Sequence, residues 1–144
     1  MGTSLRVRLV GVLILAGLLA ACSSQASPVS GEWMAAVDFG RIGFTVGSDG
    51  ASIPVSRYDV NNFDCAGSSI TAGVQHETQP AASIVNGSFH EEANLNIGGT
   101  QVIEITVIFA ETGQNANGTY QIELPSGSCS GAFEAFPVGM GANY

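Results

Sequence analysis

Few side chains in this sequence could do chemistry, and they are scattered. His76 and His90 each neighbour acid, Glu77 in one case and Glu91 and Glu92 in the other. Imidazole with carboxylate is a transition-metal donor set, but neither histidine sits in a recognised ligand spacing. They read as two solvent-facing residues on strand ends, and no metal or cofactor is expected. Asp59, Asn61 and Asp64 in DVNNFD offer oxygens to calcium. That stretch lacks the glycine and the distal glutamate of an EF-hand loop, so it reads as a polar turn ahead of Cys65. GSCSG at 127–131 has the outline of a nucleophile elbow, with Cys129 in the serine's place and no helix pattern behind it. A Cys–His pair would need Cys129 free and within reach of His76 or His90. Trp33, the one tryptophan, could stack on a sugar or plug a core. Trp33, His76 and His90 are the candidate ligand-binding residues, and no catalytic residue is assigned.

The remaining cysteine, Cys22, has a different setting. Arg6 and Arg8 precede Leu9–Ala21, 13 residues of Leu, Val, Ile, Ala and Gly. A membrane-spanning helix needs about 18 or more, so the basic start, short apolar run and small residues read as a secretory signal peptide. Leu19, Ala20, Ala21 and Cys22 resemble the lipobox of bacterial lipoproteins. The resemblance implies a diacylglyceryl thioether on Cys22, cleavage before it, and fatty acylation, typically palmitate, of the new amino group. Two or three chains anchor a protein stably, whereas one does so marginally. Residues 1–21 are then the leader. Residues 22–30 are a lipidated tether, made flexible by its small polar residues, and 31–144 form the domain. In lipoproteins of two-membraned bacteria, aspartate after the cysteine often retains the protein at the inner membrane; Ser23 stands there instead. The expected place is the cell membrane or outer membrane, with the domain facing away from the cytoplasm.

Without the leader, the cations are Arg41 and Arg57 against 12 acidic residues, a formal charge of −10. Nucleic-acid binding requires basic residues that displace counterions from phosphates, so nucleic acid is excluded as a partner. Cys65 and Cys129 form an even pair in an exported chain, which reads as a disulfide. Closing a loop of about 65 residues is worth about 4 kcal/mol in the chain-entropy model.

Period-two alternation predicts strands. Ile42, Phe44 and Val46 share one face. Ile103, Ile105, Val107 and Phe109 share another, with Val102, Glu104, Thr106 and Ile108 on a partly covered reverse. Tyr120, Ile122 and Leu124 alternate likewise, as do Phe89, Ala93, Leu95 and Ile97, interrupted by Glu91, which suggests a bulge or break. Asn86-Gly87 is the clearest hairpin signal; Asp49-Gly50, Gly98-Gly99 and Asn117-Gly118 also read as turns. Pro54 predicts an edge or bulge, as does the slip in phase between Val55 and Tyr58. Eight to ten short strands without a helical period predict an all-β, antiparallel β-sandwich of immunoglobulin-like or jelly-roll type with one disulfide, an open barrel being the alternative.

Gly31 and Trp33, Phe44 and Val46, Cys65 and Cys129, and Ala116, Gly118 and Thr119 resemble the loose pattern of a group of small exported bacterial β-domains, over residues 31–136. Two departures stand out. Phe133 and Phe136 lie where that group often has a tryptophan, and Val107 replaces a usual glycine. The resemblance implies an envelope β-domain and brings no catalytic residues. The expected function is a membrane-anchored surface lipoprotein, a non-enzymatic binding or structural module of the cell envelope. It would hold membrane lipid through Cys22 and meet an envelope protein or glycan. The alternative is a carbohydrate- or calcium-binding module.

Overall fold

A computed structural model of the chain describes residues 27–139. The leader, Cys22 and residues 23–26 lie outside the described residues, as do 140–144. Eight strands follow one another: β1 (Gly31–Val37), β2 (Gly40–Val46), β3 (Ser52–Cys65), β4 (Ser68–Ser83), β5 (Ser88–Asn94), β6 (Val102–Phe109), β7 (Ala116–Leu124) and β8 (Gly127–Pro137). There is no helix among the described residues. All pairings are antiparallel, in the order β4-β3-β2-β1-β8-β7-β6-β5.

Spatial neighbours are sequence neighbours everywhere except at β1–β8. That junction rests on two register pairs, Trp33↔Pro137 and Met34↔Phe136. The end strands β4 and β5 come together without a ladder, so the body is nearly barrel-like. The all-β antiparallel class and the disulfide are as the sequence predicts. Each half, β1–β4 and β5–β8, is an up-and-down meander, and β8 returns beside β1. Alternation and turn chemistry locate strands and hairpins, and neither says which distant strands meet.

The chain's own residues explain the open seam. Asn86 and Gly87 both have positive φ, 52° and 72°, the type I′ geometry of a two-residue hairpin. They close β4 onto β5 through one bridge, Val85↔Ser88. Pairing goes no further, because the β3–β4 register jumps from Ile53↔Ala82 to Val55↔Glu77. Residues 78–81 bow out, and among them Pro80 has no N–H to give a neighbouring strand. On the β3 side the jump falls at Pro54. Ile53 is inward before it, and Ser56, Tyr58 and Val60 are inward after it. A second shift, between Val60 and Phe63, lets the β3–β4 hairpin tip reach the start of β8. There Cys65 bonds Cys129 with Cα atoms 5.7 Å apart, and Ser68 Oγ lies 3.0 Å from Ser126 Oγ.

Inside, Trp33, Phe44, Phe89 and Phe109 pack ring on ring, and Phe39 meets Phe63 and Tyr120 edge-on. Ile42, Val60, Ile103, Ile105, Val107 and Ile122 fill the space between. Two expectations are corrected here. Ser27–Val29 is docked rather than loose: Pro28 is buried, and the Val29 N–H donates to the Gly113 carbonyl at 3.1 Å. Asn117-Gly118 lies inside β7 rather than at a turn. Its glycine makes room for Phe133 on the paired strand; a Cβ on Gly118 would lie 2.2 Å from the ring.

Candidate functional site

Glu91 is the buried charged residue among the described residues, 4% exposed on an otherwise apolar inner face. β5 pairs with β6 without interruption from Ser88 to Asn94, so the carboxylate marks no break, contrary to the sequence reading. Alternation alone turns Glu91 inward between Phe89 and Ala93. It lies at the seam, where the bowing out of 78–81 brings the middle of β4 opposite β5. The Ser56 hydroxyl donates to Glu91 Oε1. His76, the direct cross-strand partner of Ser56, places Nε2 3.8 Å from the same oxygen. Glu91 Oε2 and the Tyr58 hydroxyl are buried without a hydrogen-bond partner among the described residues.

Burial dominates the electrostatics of this cluster. It pushes the Glu91 carboxyl above its ordinary value, because the charged form loses hydration. The Ser56 hydrogen bond and attraction to His76 and His90 hold that rise back. Burial, and then the neighbouring Glu91, push the Tyr58 phenol up as well. The arrangement is one carboxyl that favours its proton, a hydroxyl, a phenol and one half-buried imidazole leading out to solvent. It offers a single carboxylate and a single histidine.

The other candidates are dispersed. His90 faces outward from mid-β5 and lies 3.1 Å from Thr106 Oγ1 through Nδ1. Neither histidine is at a strand end, and His76 is half-buried instead of solvent-facing. No group of three or more His, Cys, Asp or Glu among the described residues could hold a metal. DVNNFD lies within β3 rather than in a turn. Trp33 is 1% exposed. Its ring stacks on Phe44 and meets Phe109 edge-on, and its Nε1–H donates to the Val29 carbonyl at 2.8 Å. No ring face remains for a sugar, which corrects that use of Trp33. Cys129 is held by Cys65 and is not a free nucleophile.

Sequence reasoning missed an outer groove. On the outward face of β1–β4, Met34, Gly43, Arg57 and Gln75 form one cross-strand row. Gly43 leaves the floor without a side chain, and a groove of about 250 Å³ opens there, also lined by Glu32, Thr45 and Val55. Arg57 Nη2 donates to Gln75 Oε1 at 2.9 Å. Among the described residues neither Arg57 nor Arg41 has a carboxylate within 4.0 Å. The signal for this groove was available: a glycine in the middle of a strong strand pattern marks a close approach or an opening.

No family model, curated protein or solved structure matches the chain.

Proposed function

We propose that this chain is a membrane-anchored surface lipoprotein whose β-domain binds or supports another component of the cell envelope without catalysing a reaction. The observation that carries this reading is the Cys65–Cys129 bond, which joins β3 to β8, strands that are not neighbours in the sheet. Such bonds form and persist where the milieu oxidises thiols, outside the cytoplasm. That agrees with a cleaved leader over residues 1–21 and with lipid on Cys22. Docking of Ser27–Val29 onto the body leaves residues 22–26 between the proposed lipid site and the first docked residue. We read the body as a barrel unzipped at β4–β5 in preference to a sandwich, because β1 and β8 pair directly and the β4–β5 ends are bridged at Val85↔Ser88.

The decisive test fractionates cells expressing the full chain or Cys22→Ala, with palmitate labelling. The lipoprotein reading predicts label and membrane association that both disappear in the variant. Unchanged partitioning of Cys22→Ala refutes it.

A further inference from the structure

We infer that the groove over Gly43 is a binding site for a short zwitterionic peptide about three residues long, with small side chains. The inference deepens the binding role proposed above and is independent of the lipid anchor.

The walls of the groove carry opposite charges. Glu32 stands on β1, opposite Thr45, and Arg57 on β3, opposite Gly43, so the two charges face each other diagonally across β2. Arg57 is held by a neutral partner, the Gln75 amide oxygen. Its other N–H groups are left to meet an acceptor, and paired N–H donors suit a carboxylate. Like Arg41, Arg57 has no carboxylate within 4.0 Å among the described residues; it differs in lining the groove. Asp59 and Glu77 flank the same face on neighbouring rows, with Arg41 opposite Asp59; with Glu32 the carboxylates outnumber the guanidiniums, so a polyanion gains little there. A ligand with one carboxylate, and a cationic or N–H-bearing other end for Glu32, satisfies both walls.

Length and shape agree. β1 and β3 are two strand spacings apart, about 10 Å, and the offset of one row makes the Glu32–Arg57 diagonal about 12 Å between backbones; the two long side chains shorten this toward the span of about 10 Å of three extended residues. Met34 and Val55 supply apolar contact, and Thr45 a hydroxyl. A Cβ on Gly43 would meet Met34 Sδ at 3.5 Å, an ordinary contact, and Gly43 has no left-handed φ. The floor can therefore be filled without breaking the strand.

The test titrates the full chain in detergent with trialanine, following backbone amide and Arg57 Nε–H signals by NMR. Parallel titrations use trialanine amide, N-acetyl-trialanine and a neutral trisaccharide. Trialanine is expected to shift Gly43, Thr45 and Arg57, and blocking either end to weaken binding tenfold or more. Arg57→Gln should erase the preference for the free carboxylate, and Glu32→Gln the preference for the free amine. Gly43→Val should abolish binding while the rest of the spectrum stays native. Equal binding of the amide, tighter binding of the trisaccharide, or no shift at 50-fold excess of trialanine overturns the site. None of these outcomes bears on Cys22, whose membrane partitioning is read separately.

Discussion

Replacing Glu91 by Gln tests whether the seam holds a buried carboxyl that favours its proton. Glutamine keeps the side chain's length, retains an oxygen to accept from Ser56 and cannot ionise. In the native protein the folded-state pKa of Glu91 lies above the ordinary 4.5. The folded state therefore binds the proton more tightly than the unfolded chain does. Its contribution to stability is complete below the unfolded value and is lost as pH rises through the folded one. A single titrating group limits the slope to about 1.4 kcal/mol per pH unit. Against a total stability of about 5–15 kcal/mol for a domain, such a slope is measurable. Urea unfolding of both proteins with the disulfide intact, from about pH 4 to 8, gives two curves whose difference isolates Glu91 together with its coupling to His76 and His90. Their difference should fall against the native protein as pH rises above 4.5, then level off. His76→Ala removes one of the attractions that hold the Glu91 shift back, so its window should move to higher pH and the loss should grow. A difference curve that is flat throughout, or that rises in favour of the native protein, refutes the assignment of Glu91 as a buried, proton-favouring group.

Two further substitutions probe the packing. Gly118→Ala drives a Cβ to within 2.2 Å of the Phe133 ring; overpacking of this kind costs about 1–3 kcal/mol, to be read as a lower urea midpoint with an unchanged m-value. Replacing both Cys65 and Cys129 with Ser removes a cross-link spanning 64 positions. It should destabilise the domain by about 4 kcal/mol in the chain-entropy model, and native protein under reducing conditions should show the same loss.

Much of the strand content was legible because one physical signal, alternation, is local. Ile103, Ile105, Val107 and Phe109 are buried, and the reverse face of β6 is half-covered, as the pattern states. Asn86-Gly87 turns where its chemistry says it should. Failures came where the same local signal has two physical causes. Glycine after asparagine reads as a turn, yet Gly118 is small because Phe133 lies across it. A glutamate in an apolar series reads as an interruption, yet Glu91 keeps the register and is matched by Ser56 from β3. That partner lies 35 positions away, and no window of neighbouring residues contains it. Pro54 pointed correctly to a bulge. Pro80 did not enter the sequence reading, although it lies among the residues that leave the ladder and keep β4 from zipping onto β5.

The polar groups of this domain divide according to what β-strand geometry permits. An inward polar side chain must find its partners across strands within a dry interior, and Glu91, Ser56 and Tyr58 do so incompletely. Burial there favours the proton on Glu91. Outward side chains face water, and there the period of two sets Met34, Gly43, Arg57 and Gln75 side by side in one row. Recognition needs accessible groups held in place more than it needs perturbed ones. Arg57, steadied by Gln75 at the edge of the groove, meets that requirement better than the buried cluster. The seam is then where pH is expected to act on stability, and the outer face of β1–β4 is the face proposed to meet a partner. Glu91→Gln should change the first while leaving trialanine binding intact, and Arg57→Gln should do the reverse.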